Sequence, residues 1–292
     1  MDAALPRSVL WLAVGVAAVS ASAVFIRLAD APPLSVAALR MVLGAALIAL
    51  PTLIWQRAGL RALRRADLRP LAGSGLLLAA HFAAFISSLS LTSVANAVFL
   101  VTTTPVFVAL GEAVFLRQRP SRLMWGAVAL SMAGGGGLAL DATGGEGHLA
   151  GDALALVGAA TVSGYLLVGR RVRARMGVMA YSTVVNSVAA LALLALALAA
   201  GSPLVRLEPA SYLWIGLVAL VPQVIGHSLL NWSLAHVSAT TVTLAVRAEP
   251  VVSTLLAVPV LGEFPGWVLA PGAVLILAGA VVAARAEGRR AV

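Results

Sequence analysis

Every residue from Val188 to Ala200 is alanine, valine or leucine, and comparable apolar runs recur along the whole chain. About 20 apolar residues in a helix, rising 1.5 Å each, cross the ~30 Å hydrocarbon core of a bilayer. A strand reading fails because the runs are too long and lack alternation with period two. Backbone groups inside lipid need partners within their own segment, which a helix supplies. The expected class is therefore an all-α membrane protein. Ten transmembrane helices are expected at Val9–Leu28, Leu34–Ile54, Leu71–Leu89, Val94–Leu116, Leu123–Leu140, Asp152–Gly169, Ala180–Ala200, Tyr212–Trp232, Ala239–Leu261 and Trp267–Ala284.

Composition agrees with that class. Only 11% of the 292 residues are charged, against roughly a quarter in a soluble domain. There is no cysteine, so disulfides and thiolate metal sites are excluded. The net charge of +9 comes from 20 arginines and 11 acids, without lysine. Arginine position argues against nucleic acid as a partner. With the N-terminus inside, the inner segments hold 16 arginines; the outer ones hold Arg27 and Arg206. Arg40 and Arg247 fall within spans. The positive-inside rule then places both termini in the cytoplasm, and arginine without lysine, with heavy alanine, points to a GC-rich bacterial genome and so to a bacterial inner membrane. No separate cleavable signal is expected, because the first run leads directly into a second span.

The chain repeats itself. SVANAVFLVTTTPVFVAL from Ser93 aligns with SATTVTLAVRAEPVVSTL from Ser238, matching Pro105 with Pro250 at a shift of 145. Upstream, Val14, Gly15, Ser20 and Arg27 match Val157, Gly158, Ser163 and Arg170 at a shift of 143. This divides the chain into five-helix repeats at 1–143 and 144–292. Five is odd, so the second repeat is inverted in the bilayer. Inverted repeats are a recurrent plan of secondary transporters, with the solute site near the midplane.

Three stretches, PPLSVAALRMVLGAALIAL, TTTPVFVALGEAVFLRQRPS and RAEPVVSTLLAVPVLGE, carry a resemblance over nearly the whole chain. With the ten-span plan, the sequence resembles the drug/metabolite transporter superfamily, in its EamA-type branch. The resemblance implies movement of small metabolites, often outward, through a central cavity; aromatic amino acid exporters of the YddG type are among such proteins. Where the family often carries tryptophan, this chain reads VSASAVF in the first span and TVSGYLL in the sixth.

Polar residues at membrane depth mark the candidate site. His81, Phe85 and Ser88 share one helix face, as do Gln223, His227 and Asn231, with Trp232 beside them. His81 and His227 stand within one residue of repeat equivalence. Such stripes either line a cavity or tie helices together, each tie being worth ~0.6 kcal/mol. Phe82, Phe85, Phe99, Tyr165 and Trp232 are candidates to receive an aromatic side chain. Arg247 and Glu249 sit just before Pro250, a residue that removes a backbone donor. A mid-span arginine costs at least ~2.5 kcal/mol and needs a partner. The two charges either bind the charged ends of a solute or anchor helix packing. Glu112 is expected to meet an arginine of the following loop, and Arg40 to snorkel or pair. Gly134 to Gly137, Gly272 and Gly279 supply small packing faces. Trp11, Trp55, Trp125, Trp214 and Trp267 stand where interfacial anchors belong. DATGGEGHLAGD, 141–152, is the expected outer linker between the repeats.

The leading function is a secondary transporter working by alternating access on small metabolites, with amino acids foremost. No cofactor is expected: four histidines without cysteine or HExxH make a poor metal set, and no GxxxxGK[ST] motif points to ATP. An intramembrane enzyme is the main alternative, although neither AGSG nor GHSLL is a nucleophile motif. A channel or scramblase is a further alternative. The expected partners are a small-molecule solute and the lipid bilayer, with monomer or homodimer left open.

Overall fold

Among the described residues, a computed structural model contains helices, turns and loops and no strand. The structure describes residues 4–92, 94–118, 120–143, 149–261 and 269–288. Arg119, Gly262, Glu263, Pro265, Trp267, Arg289 and Arg290 lie outside them, as do residues 144–148 at the expected repeat boundary. Seven stretches are long and apolar enough to cross a membrane: Val9–Ala29, Pro33–Trp55, Arg65–Ser88, Ala97–Phe115, Leu149–Arg173, Val178–Ala199 and Pro209–Ser233. Ala270–Ala283 is a shorter apolar helix.

In chain order the helices are α1 (Ala4–Ser20), α2 (Ser22–Ala29), α3 (Pro33–Trp55), α4 (Arg57–Arg61), α5 (Arg65–Ser88), α6 (Val94–Val101), α7 (Thr104–Phe115), α8 (Arg122–Thr143), α9 (Leu149–Arg173) and α10 (Val178–Ala199). Then come α11 (Pro209–Val218), a π-helical segment (Ala219–Gly226), α12 (His227–Ser233), α13 (Ala239–Val246), α14 (Glu249–Leu261) and α15 (Leu269–Gly288).

The breaks have local causes. At α6–α7, Pro105 has no N–H to give the Val101 carbonyl. Thr104 Oγ1 donates to that carbonyl instead, at 2.6 Å. Thr102 and Thr103 likewise bond back to Phe99 and Leu100. The Val106 N–H donates to Thr103, so the Thr102 carbonyl loses its helical donor. The α13–α14 break falls at the equivalent Arg247 and Ala248, before Pro250. Pro222 lies within the π-helical segment, where hydrogen bonds span five residues rather than four.

Packing is reciprocal. α5 lies against α9, and α1 lies against the π-helical segment and α12. α6 and α7 also pack on α9, and α13 and α14 on α1. α3 pairs with α10, and α8 with α15. Exchanging the first half of the chain for the second leaves this pattern unchanged. Glycines set the close approaches: a Cβ on Gly75 would meet Val188 Cβ at 2.6 Å, and one on Gly134 would meet the Gly272 carbonyl at 2.6 Å. Leu50, Trp55, Phe115, Leu191, Leu213 and Val274 are all well exposed. An apolar exterior of this extent matches lipid rather than water. Trp11, Trp55 and Trp125 are exposed as expected of interfacial anchors; Trp214 is half-buried and packs on Phe25.

Glu112 joins the two halves. It is buried, and its Oε1 accepts the Ala239 and Thr240 N–H groups at 2.9 and 3.3 Å. Its Oε2 accepts the Thr240 hydroxyl at 2.7 Å. A carboxylate at the start of α13 satisfies orphan donors and suits the positive end of the helix dipole. This bond set was not foreseen for Glu112. Glu112→Ala is expected to destabilise the protein by about 1–3 kcal/mol, the cost of stranding buried donors. Thermal unfolding in detergent checks this, and Glu112→Gln, which keeps one acceptor oxygen, is expected to lose less.

Candidate functional site

Where α1, α2, α3, α5, α6, α7, α9, the π-helical segment, α12, α13 and α14 converge, the helices line a cavity of about 110 Å³. One water needs only ~10–15 Å³, so the space admits a small solute. Eight of the twelve sequence candidates line it: His81, Phe82, Phe85, Tyr165, His227, Asn231, Arg247 and Glu249. Arg40, Ser22, Thr102 and Thr104 line it as well.

The other four do not reach it. Gln223 is fully buried and points away, toward Asn186. Its spacing from His227 assumed a regular α-helix, whereas the π-helical segment rotates the residues before His227 relative to those after it. Ser88, at the end of α5, donates back to the Phe85 carbonyl at 2.7 Å. Phe99 turns toward Gly135 and Gly136 of α8. Trp232 stacks on His236 with ring centroids 3.9 Å apart.

Rings form one wall of the cavity. His81 lies 5.0 Å from Phe82 and stacks on Phe85 at 6.0 Å, while His227 meets Phe82 edge-on at 5.5 Å. His81 Nδ1 lies 2.9 Å from the Gly158 carbonyl. A carbonyl only accepts, so Nδ1 carries the proton and Nε2 is the acceptor of the neutral ring. Tyr165 donates to Asn231 Oδ1 at 2.5 Å.

The two intramembrane arginines differ in their partners. Arg247, only 1% exposed, donates through Nη1 to the Thr102 carbonyl, the one freed by the α6–α7 break. Its Nη2 donates to the Ser131 carbonyl of α8 at 2.8 Å. Gly135 makes that approach possible, because a Cβ there would overlap Nη2. Thr102 and Arg247 are repeat equivalents, 145 residues apart. Arg247 thus lines the cavity while its terminal nitrogens are bonded to backbone carbonyls.

Arg40 is buried rather than snorkelling, and among the described residues it forms no ion pair. It is 2% exposed, with its guanidinium 4.2 Å from the centre of the Phe82 ring. Nη2 donates to Gln223 Oε1 at 2.9 Å, and Nη1 to Ser22 Oγ at 3.4 Å. Glu249 interacts with Arg40 electrostatically. Among the described residues, no salt bridge joins the two. Sequence reasoning missed Arg40 as a cavity residue; the available signal was its position in a span without a neighbouring acid. The described residues contain no group of three or more acids or histidines placed to hold a metal ion.

A hollow lined mainly by apolar and aromatic side chains, with a few polar and charged groups converging on it, is the usual form of a small-molecule site. The EamA-like transporter family model matches residues 6–138 and again residues 149–285, so the chain belongs to that family. It is a multi-pass membrane transporter of small molecules, of the drug/metabolite class. A solved crystal structure is similar to it with a TM-score of 0.81 at 23% identity, covering 97% of this chain and 98% of that one; this likeness shows the fold. No curated protein matches the sequence.

Gly135→Ala is expected to displace the Arg247 guanidinium and to destabilise the protein by about 1–3 kcal/mol, since a buried carbonyl loses its donor. Arg247→Met removes the group that Gly135 accommodates. The two changes are therefore expected to be non-additive, the double variant losing less than the sum, as a thermal-unfolding cycle would measure.

Proposed function

We propose that the protein is a secondary transporter of zwitterionic amino acids, aromatic ones included, working by alternating access. The observation that carries the reading is the charge layout of the cavity. Arg40 and Glu249 both line it and interact electrostatically without a hydrogen bond between them. An α-amino acid has one carboxylate and one ammonium to set against those charges. Charge-assisted hydrogen bonds are roughly twice as strong as neutral ones, and a low-dielectric surround strengthens them further. Phe82, Phe85, Tyr165 and His227 offer rings to an aromatic side chain.

Ten spans arranged as two inverted five-helix repeats fit the reciprocal helix packing and the paired proline breaks. The arginine distribution supports cytoplasmic termini in a bacterial inner membrane. Outward transport follows the resemblance to exporters of the YddG type. The paired breaks at Thr102 and Arg247, both lining the cavity, support a solute site beside interrupted helices, as in other transporters of inverted design.

Purified protein in liposomes is expected to move radiolabelled phenylalanine with saturation. Glu249→Gln keeps the side-chain shape and removes the charge opposite the ammonium. It is expected to lower kcat/KM by about 10- to 100-fold, from the ~1.5–3 kcal/mol of a hydrogen bond to a charged group. Saturable flux of other solutes with none of amino acids would refute the substrate assignment.

A further inference from the structure

The intramembrane polar group that the cavity leaves unexplained is the buried amide chain behind Arg40. Gln223 Nε2 donates to Asn186 Oδ1 at 2.7 Å, and Asn186 Nδ2 donates to the Ser182 carbonyl at 2.7 Å. The Ser182 carbonyl only accepts, so the Asn186 amide nitrogen must face it. Asn186 then turns its oxygen to Gln223, which must answer with its own nitrogen. The Gln223 oxygen is left facing Arg40, where it accepts from Nη2 at 2.9 Å. One backbone carbonyl thus orients every group in the chain. The π-helical segment turns Gln223 into this position, and Gly44 makes room for it: a Cβ there would stand 2.7 Å from Gln223 Cγ.

The chain ends on a guanidinium whose remaining donors are poorly matched. Arg40 Nε is buried without a hydrogen-bond partner, and Nη1 has only the 3.4 Å contact with Ser22. A planar guanidinium held from one side, with Phe82 under its face and the residue lining the cavity, is a pre-organised cation of the kind that suits a carboxylate. We infer that Gln223 and Asn186 are positioning residues that aim Arg40 at the cavity, and that Arg40 so held makes the transporter select solutes bearing a carboxylate. The inference rests on the cavity being the solute site.

The test compares three solutes of one shape in proteoliposomes: phenylalanine, phenethylamine without the carboxylate, and 3-phenylpropionate without the ammonium. In the unaltered protein both carboxylate-bearing solutes are expected to outcompete phenethylamine, and Arg40→Gln to abolish that preference. Gln223→Glu preserves volume but sets an acid against Arg40 in competition with the solute. It is expected to raise KM for the two carboxylate-bearing solutes by roughly tenfold, the scale of one charge-assisted bond, while phenethylamine changes less than about twofold. Should Gln223→Glu not fold, Gly44→Ala, which presses on Gln223 Cγ, and Asn186→Leu are expected to show the same split in KM. Equal effects of these variants on all three solutes would overturn the positioning role. Transport of 3-phenylpropionate but not phenylalanine would remove the amino acid assignment and leave this inference standing. Phenylalanine transport unmoved by Gln223→Glu would do the reverse. A preference of the unaltered protein for phenethylamine over both acids would defeat both.

Discussion

A carbonyl stripped of its helical donor inside lipid has no water to turn to, and the centre of this protein is organised around one such carbonyl. Pro105 and the three threonines before it interrupt a helix and free the Thr102 oxygen. Arg247 comes from the matching interruption in the second repeat and donates to it, and to Ser131 on a third helix. A charge that is costly in hydrocarbon thereby gains two carbonyl acceptors, and a break that is costly for the same reason gains a donor. Each defect is tolerable because the other exists. Together they allow two broken helices to meet where a solute cavity lies.

The contrast between Arg247 and Arg40 follows from that arrangement. Both are almost wholly buried. Arg247 has its terminal nitrogens occupied by backbone oxygens on two helices and serves to hold the bundle. The Nε of each is buried without a hydrogen-bond partner; Arg40 differs in having a side-chain amide on one side, an aromatic ring under its face and only a 3.4 Å contact at Nη1. A cation with fewer acceptors than donors, in a hollow shared with Glu249, fits the solute-binding role proposed for it. The same residue type thus takes two roles according to how many carbonyls the local backbone has released.

Much of the fold was legible along the chain because lipid imposes a simple rule on it. Helices must be long and apolar, so the runs show themselves, and duplication repeats Pro105 as Pro250. His81, Phe82, Phe85, Tyr165, His227, Asn231, Arg247 and Glu249 could be proposed for the cavity because polar or aromatic groups at that depth are few. Gln223 was misplaced because its spacing presumed 3.6 residues per turn, and no local residue pattern announces a π-helical turn beyond Pro222. Ser88, Phe99 and Trp232 were misplaced because a helix face does not say which neighbour it meets. The bonds from α13 to Glu112 join residues 127 and 128 apart, a pairing that the local sequence does not announce.

The sequence alone determined that the chain is helical, that it belongs in a membrane and that it is built twice, since these depend on local hydropathy, proline and repetition. Both buried arginines line the cavity, and tertiary structure decided which of them is bonded to backbone carbonyls and which to a side-chain amide. That choice depends on which carbonyls lack donors once distant helices are packed, and on how an amide chain running from Ser182 to Gln223 is oriented. Hydrogen-bond partners separated by more than a hundred residues leave no periodic trace, so only the packed molecule assigns them.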